Sequence, residues 1–302
     1  STADRLDWLQ QRTPFQTERL YPSDQNLEGH RVRRLCSADK VDTLIFVHTD
    51  PTHERERTFY RSTLGHPALS SLFRWTLVFF VGLRPGVNVS HEAGVHGDMV
   101  RLPFVDDYRN LTYKFVLGIR WVLLRCPSVH RVVKIDDDVF VHPEFLYEYL
   151  QSRVPPLDRY IHCSAFPFNY VIRNPHSRHY LSPAEYPAKV FPLHCHGWFV
   201  VLPVPVMWDL YAAAFQVTPH AIDDAYVTGD LAKRAGVQFR DLTAVLSDTE
   251  NQLLALLRGE FLGVFFTGRS KLQIRVELWK TLVAIKKHSK VDNAMMRTLE
   301  KS

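Results

Sequence analysis

Short apolar runs, rich in β-branched and aromatic residues, recur through the first half of the chain. They cover residues 43–48, 76–82, 98–103 and 131–135. Runs of this length and composition, bounded by polar segments, are typical of buried β-strands. The pattern therefore predicts four strands before residue 140.

A helical pattern lies between the third and fourth of these runs. Apolar residues recur at three- and four-residue spacing behind Asp106 and Asp107, and Pro127 follows them: Leu111, Phe115, Ile119, Val122 and Cys126. Aspartates at such a start are favoured N-caps, and proline ends a helix. Strand, helix and strand in this order predict a parallel sheet with crossover helices.

The second half of the chain is less regular. The pattern predicts further strands at residues 159–165, 239–246 and 261–266. Within residues 194–202 it predicts a turn at residues 196–197 followed by an apolar strand. It predicts helices at residues 143–151, 204–215, 222–236 and 271–287. Residues 1–40 are polar and irregular, with a predicted helix near residues 4–11, so we interpret them as a stem or lead-in. Residues 41–302 would form one domain.

Three consecutive carboxylates, Asp136, Asp137 and Asp138, end the fourth predicted strand. Like charges this close repel, and burying them without a counter-ion is costly. Oxygen ligands of this kind suit Mn²⁺ or Mg²⁺ accompanied by a phosphorylated ligand. A polar turn between two strands is the alternative, but the apolar residues on both sides argue against an ordinary surface loop. In parallel sheets, ligands bind beyond the carboxyl ends of the strands, where this triplet lies.

A second acidic pair, Asp223 and Asp224, begins a predicted helix. The pair, taken alone, is more simply explained as N-cap residues. A carboxylate kept ionised by a helix N-terminus could also act as a general base toward an acceptor hydroxyl. The cations Arg57, Arg61 and Lys134 could neutralise a diphosphate, although each could equally be a salt-bridged surface residue.

Composition and charge narrow the class of protein. The chain has 302 residues, 46% hydrophobic and 12% aromatic content and a net charge of +5, without a long basic run outside its C-terminal tail. Nucleic acid is therefore not an expected partner. No stretch reaches the roughly 18 apolar residues of a membrane helix. The chain begins with Ser1, and we expect it to be the soluble part of a longer protein.

Four cysteines, Cys36, Cys126, Cys163 and Cys195, lie far apart. This spacing argues against a zinc site and permits two disulfides, with three possible connectivities. One N-glycosylation sequon begins at Asn88 and a second begins at Asn110. Both are compatible with glycosylation in a secretory compartment.

Several segments, taken in order, carry a resemblance to a known family. They are residues 57–65 (RTFYRSTLG), 97–100 (GDMV), 104–114 (FVDDYRNLTYK), 134–141 (KIDDDVFV), 186–197 with its Tyr-Pro and Cys-x-Gly, and 223–229 (DDAYVTG). Together they resemble the β-1,3-galactosyltransferase-like family of inverting glycosyltransferases, which also contains β-1,3-N-acetylglucosaminyltransferases. The most specific pair is N-L-T-x-K with K-x-D-D-D-V-F-V.

This resemblance implies a single GT-A (Rossmann-like) α/β domain with a central mixed, mostly parallel sheet flanked by helices. It implies a UDP-sugar donor, Mn²⁺, a glycan acceptor on glycoprotein or glycolipid, and a type II Golgi protein whose membrane anchor lies outside this chain. By motif, Asp136 would face the ribose and Asp138, with Asp137, would hold the metal. Asp224 would be the base for the acceptor 3-hydroxyl. The donor site would be lined by cations: Arg57, Arg61 and Lys134.

The chain departs from the family pattern at three places. Leu64 stands where the family has Trp, Phe199 where a second Gly is usual, and Thr267 lies near the place of a late metal-binding His. These departures motivate a second hypothesis, a non-catalytic partner or chaperone of an active transferase, which turnover by the purified chain would exclude. A carbohydrate-binding or adhesion module is a third, and it leaves the two acidic clusters unexplained.

Overall fold

A seven-stranded sheet with helices on both faces forms the centre of the molecule. The computed structural model describes residue 36 and residues 41–166, 169–243, 246–247, 264–265 and 271–288. The strand order is β3-β2-β1-β4-β6-β5-β7. Within this sheet β6 pairs antiparallel with both β4 and β5, whereas the other pairs are parallel. The predicted mixed, mostly parallel sheet is confirmed.

The strands of the main sheet are β1 (Thr43–His48), β2 (Trp75–Leu83), β3 (Met99–Val105), β4 (Arg131–Asp136), β5 (Tyr160–Phe166), β6 (His194–Pro203) and β7 (Gln238–Asp241). A separate parallel pair is formed by β8 (Leu246–Ser247) and β9 (Val264–Phe265). The helices are α1 (Glu54–Ser62), α2 (Pro67–Phe73), α3 (Ser90–His96), α4 (Leu111–Arg125), α5 (Pro143–Arg153), α6 (Val204–Ala213), α7 (Ala232–Ala235) and α8 (Leu272–His288). A short 3-10 helix, Tyr108–Asn110, precedes α4, and a π-helix, Ala225–Leu231, precedes α7.

Two predictions for the second half of the chain are wrong. The run at residues 194–202 is one continuous strand, β6, without a turn at Gly197. Its pairing with β5 instead shifts register near Gly197, as bulges beside functional sites often do. The predicted strand at residues 239–246 is divided, because Thr243 turns the chain by donating its amide and hydroxyl to the Asp241 carboxylate. The predicted helix near residues 4–11 lies outside the described residues.

Alternate residues of each central strand enter two hydrophobic layers. Phe46 packs with α4 on one face, whereas its neighbour Ile45 belongs to the layer on the other face. The approach of α4 is close: a methyl group on Gly118 would lie 2.1 Å from Cζ of Phe46. The second layer includes Leu278 of α8, so the terminal helix packs against the sheet.

Two disulfides join distant parts of the described chain. Cys36 bonds to Cys126 at the end of α4, and Cys163 of β5 bonds to Cys195 of β6. These are one of the three connectivities that the sequence leaves open. The first bond attaches residue 36, inside the predicted lead-in, to the hydrophobic core; the division at residue 40 stays a prediction. None of the helices in the described residues is long and apolar enough to span a bilayer.

The carboxyl ends of the parallel strands meet at one edge of the sheet. His48 ends β1 and lies opposite Asp136, which ends β4. The acidic triplet therefore lies at the strand edge where the sequence places a ligand site.

Candidate active site

The acidic triplet forms a turn whose backbone accepts hydrogen bonds from two buried side chains. The hydroxyl of Tyr60, on α1, donates to the carbonyl oxygen of Val139 and lies 3.2 Å from the carbonyl oxygen of Asp136. The guanidinium of Arg275, on α8, donates to the carbonyl oxygen of Asp137. Both side chains are almost completely buried. Backbone oxygens on one side of the turn are thus engaged by helices at opposite ends of the described chain.

The three carboxylates have different surroundings. Asp136 lies 2.6 Å from the ammonium of Lys134, and Asp137 lies 2.8 Å from Nδ1 of His53. Burial, assisted by the charges of Asp136 and Asp137, raises the pKa of Asp138 to about 6. A bound cation would stabilise the ionised form of Asp138 and so oppose this rise in its pKa.

The second acidic pair lies across the cleft from the triplet. Asp224 caps the π-helix, and its Oδ1 accepts a hydrogen bond from the amide of Ala225 at 2.7 Å. Burial raises the pKa of both Asp223 and Asp224, and the carboxylate of Asp136 adds to the rise, whereas Lys134 opposes it. A carboxylate with a raised pKa is a stronger base than one in water.

Lys134 connects the two acidic groups. Its ammonium donates to Asp136 and to the carbonyl oxygen of Gly197, and its side chain is 1% exposed. Burial lowers the pKa of Lys134, but the carboxylates of Asp136 and Asp223 outweigh burial, so that the net shift is upward. The lysine is thus a fixed positive charge between the triplet and the pair.

Gly197 allows the pair to approach β6. A methyl group at Gly197 would lie 2.9 Å from Cβ of Asp224. That distance is shorter than real contacts allow, so glycine is required for steric reasons at this position.

The cleft between these groups has two lobes. The first, of about 490 Å³, is lined by Asp223 and Asp224, together with Tyr170 and Trp198. The second, of about 480 Å³, is lined by residues at the ends of β1 and β3, among them His48. Five residues line both lobes and make them continuous: Tyr108, Leu111, Asp136, Asp138 and Arg178. Each lobe has a volume typical of small-molecule sites.

The structure places two of the predicted donor-site cations elsewhere. Arg57 is completely buried and pairs with Glu92 at 2.6 Å, while it also donates to loop carbonyl oxygens after β1. Arg61 pairs with Glu92 and Asp98 at 2.7 Å. Neither arginine lines the two lobes, whereas Lys134 lines the first.

Arg178 lies at the junction of the lobes, although the sequence did not indicate it. Its guanidinium carbon lies 4.8 Å from the ring centre of Tyr108, and its Nε donates to His179 at 3.1 Å. The hydroxyl of Tyr108 in turn lies 2.7 Å from Nδ1 of His179. The residue belongs to an irregular Pro-, His- and Tyr-rich loop, where no periodic pattern marks a functional side chain.

A buried network supports the segment that carries the second acidic pair. Nε2 of His220 lies 2.9 Å from Asp230, whose other oxygen accepts from the hydroxyl of Tyr186. The amide of Ile222 donates to Nδ1 of the same histidine. Since Nδ1 accepts, Nε2 carries the proton and donates to Asp230. The network holds the backbone directly before Asp223.

The donor chemistry of the triplet fits a hard divalent cation that takes only part of its ligands from the protein. In the described part of the chain, no three His, Cys, Asp or Glu side chains converge as a complete metal site. A cation bound between phosphates needs few protein carboxylates, because phosphate and water oxygens supply its other ligands. Thr267, near the expected place of a further ligand, lies outside the described residues.

A model of the Galactosyltransferase family matches residues 55–243, which include both acidic clusters. The chain belongs to this family. The mixed, mostly parallel sheet with flanking helices described above is the α/β architecture that the sequence predicts.

Two curated relatives of this Galactosyltransferase family member are similar in sequence. Human beta-1,3-galactosyltransferase 2 is 26% identical over 205 residues, which are 66% of this chain and 49% of that protein. Rat UDP-GalNAc:beta-1,3-N-acetylgalactosaminyltransferase 1 is 27% identical over 233 residues, or 74% and 68% of the two chains. The matched region thus spans about half the length of the human relative.

Among solved structures, a glycosyltransferase involved in glycosylation of the PBCV-1 major capsid is similar at a TM-score of 0.44 and 10% identity. The likeness covers 80% of this chain and 98% of that one.

Proposed function

We propose that this chain is an inverting glycosyltransferase that moves a hexose from a UDP-sugar to the 3-hydroxyl of a glycan acceptor, forming a β-1,3 linkage. Galactose is the hexose that we propose. The acceptor would be a glycan on glycoprotein or glycolipid, and the protein would act in the Golgi lumen as the catalytic part of a type II membrane protein. The names of the two curated relatives are compatible with this donor class.

The observation that carries the proposal is the position of the two acidic clusters on one cleft. The triplet lies where the lobes meet, and the pair Asp223 and Asp224 lines the first lobe. A cation-binding group beside a pair of buried carboxylates suits a reaction in which an anionic leaving group departs while a hydroxyl loses its proton.

We assign the two lobes to different parts of the substrates. The second lobe, at the ends of β1 and β3, would receive the nucleotide, because nucleotides bind beyond the carboxyl ends of parallel strands. The first lobe would receive the transferred sugar and the acceptor. Tyr170, which is 75% exposed, and Trp198 both line this lobe. Aromatic rings of this kind can pack against the apolar faces of sugars.

Asp138 would hold the divalent metal, Mn²⁺ in our proposal, with Asp137 beside it, and Asp136 would face the ribose. When bound, the metal would neutralise charge on the departing diphosphate. Lys134 would orient the carboxylate of Asp136 through their 2.6 Å contact, and Arg178 would add positive charge at the junction of the lobes.

The proposed chemistry is a single displacement. The carboxylate of Asp224 accepts the proton of the acceptor 3-hydroxyl, whose oxygen forms a bond to the anomeric carbon. The bond between that carbon and the diphosphate oxygen breaks on the opposite side, so UDP leaves with the electron pair and the configuration inverts. Burial of Asp224 raises its pKa and makes it a better proton acceptor.

Calorimetry of UDP binding with and without MnCl₂ tests the donor site, and a panel of UDP-sugars then tests transfer. We expect metal-dependent UDP binding in the wild type and no binding in Asp138→Ala. We expect Asp224→Asn to keep UDP binding and to lose at least about a thousandfold in transfer rate. Full transfer by either variant, or metal-independent binding, would contradict the proposal. UDP binding without turnover on any donor would favour the non-catalytic partner instead.

A further inference from the structure

His48 has a buried ring nitrogen that the protein leaves without a partner. This residue ends β1, lines the second lobe and is 5% exposed. Its Nε2 makes no hydrogen bond to any of the residues that the structure describes. Buried polar atoms are usually hydrogen-bonded, and an unsatisfied one lowers stability. A residue kept at such a cost is a candidate for contact with a ligand.

The ring of His48 is held by packing. It meets the ring of Phe46 edge-on at 5.1 Å and that of Phe115 at 5.4 Å between centres. Its other nitrogen, Nδ1, lies 3.9 Å from a carboxylate oxygen of Asp223, which is longer than a hydrogen bond. The two aromatic contacts therefore fix the ring without satisfying Nε2.

The free nitrogen of His48 suits a hydroxyl group. A neutral imidazole nitrogen either donates or accepts one hydrogen bond, according to the tautomer. A hydroxyl group can take either role, so it suits Nε2 in both tautomers.

The neighbouring strand end supplies a second polar group. His48 and Asp136 are partners in the register of β1 and β4, and adjacent strands lie about 4.8 Å apart. The carboxylate of Asp136 is 39% exposed and lines the same lobe. An imidazole and a carboxylate on adjacent strand ends can each take a hydrogen bond from a different hydroxyl group of one ligand.

We propose that Nε2 of His48 hydrogen-bonds a ribose hydroxyl of the donor nucleotide in the second lobe. This inference rests on the proposed function, which supplies the nucleotide. It makes His48 a nucleoside-binding residue that helps to distinguish a ribose from a deoxyribose, in addition to the acidic triplet.

Replacing His48 should move stability and binding in opposite directions. In His48→Leu the unsatisfied nitrogen is absent, so we expect the melting temperature of the unliganded protein to stay equal or rise by about 2–4 °C. The same variant should bind UDP about tenfold more weakly in MnCl₂, because one ligand hydrogen bond is lost. His48→Gln, which restores a polar group, should recover binding to within about threefold of the wild type. His91→Leu, at an exposed histidine outside both lobes, is the control and should change neither property.

Calorimetry with 2′-deoxy-UDP and 3′-deoxy-UDP assigns the contact. In the wild type, one analogue should bind about tenfold more weakly than UDP, and in His48→Leu that analogue should bind as well as UDP. Equal UDP binding by wild type and His48→Leu overturns this inference alone. If His48→Leu loses the same affinity for UDP and for both analogues, the contact lies at the base or phosphate, and this inference is overturned as well. Failure of the wild type to bind UDP overturns the proposed function and this inference together.

Discussion

The ammonium of Lys134 lies 2.6 Å from the carboxylate of Asp136, although only 1% of the lysine side chain is exposed. The same group donates to the carbonyl oxygen of Gly197, and its charge acts on Asp223 and Asp224. Like-charged carboxylates repel strongly when they are buried. Lys134 therefore allows the two acidic clusters to share one cleft.

Removal of this charge should destabilise the protein in a pH-dependent way. We expect Lys134→Met to lose about 3–5 kcal/mol of unfolding free energy at pH 8, because the facing carboxylates lose a buried counter-ion. The loss should be smaller at pH 5, where protonation relieves their repulsion. Urea denaturation at both pH values measures it. Lys280→Met, at a lysine whose side chain is 66% exposed, should change stability by less than about 0.5 kcal/mol. An equal loss by Lys134→Met at both pH values would contradict this explanation.

The raised pKa values of Asp223 and Asp224 should appear in the pH dependence of stability. In the folded state these carboxyls hold protons at a higher pH than in the unfolded chain, so their contribution falls as pH rises from about 4 through the folded pKa. We therefore compare the unfolding free energy of Asp223→Asn with that of the wild type at two pH values. The difference should favour the variant more at pH 8 than at pH 4, by on the order of 1 kcal/mol. Glu148→Gln, at an exposed carboxylate, is the control. A pH-independent difference for Asp223→Asn would contradict the assignment.

Gly197→Ala should impair transfer more than it impairs donor binding. The added methyl group would lie 2.9 Å from Cβ of Asp224, so the proposed base must move. Because small displacements of a catalytic group are costly, we expect at least about a tenfold loss of transfer rate. We expect UDP affinity within about threefold of the wild type, and calorimetry with a transfer assay separates the two effects. Gly94→Ala is the matched control, since a methyl group there would contact nothing within 4 Å. Normal transfer by Gly197→Ala would argue against Asp224 as the base.

Two arginines should respond differently to the same substitution. Arg61→Met removes a partly buried partner of Glu92 and Asp98, so we expect a loss of about 3–5 kcal/mol in stability and little change in UDP affinity of the folded protein. Arg178→Met, at the junction of the lobes, should weaken UDP binding about tenfold or more with little loss of stability. Thermal melts and calorimetry on both variants test this pair. The reverse pattern would restore Arg61 as the donor-site cation that the resemblance implies.

Local patterning predicted those parts of the molecule in which burial follows sequence spacing. The strand Thr43–His48 has the predicted bounds, because every residue in it is buried and apolar or β-branched except its terminal histidine. The apolar pattern does not predict helix α1, because one of its buried residues is Arg57. A charged residue on the buried face interrupts the apolar periodicity that indicates a helix.

The lining of the site was harder to predict than the sheet. The role of Arg61 depends on Glu92 and Asp98, which are distant in sequence, and ion pairing of that kind has no local signal. The structure also places two departures from the family pattern, Leu64 and Phe199, outside the lining of both lobes. Leu64 is buried and accepts a hydrogen bond from the indole of Trp75 through its carbonyl oxygen, and Phe199 packs in the core without lining either lobe.

Arg275 donates a hydrogen bond to the acidic turn from outside the region of family similarity. The residues that support the cleft therefore extend beyond that region. The family match ends at residue 243, whereas Arg275 of α8 reaches the carbonyl oxygen of Asp137 from well beyond it. We expect a chain shortened to end at residue 243 to lose metal-dependent UDP binding, because its acidic turn lacks that support. Arg275→Met in the full chain should weaken the same binding, whereas Ile274→Ala, at a residue 39% exposed on the same helix, should not. Expression boundaries chosen by similarity alone would thus discard a structural support of the cleft.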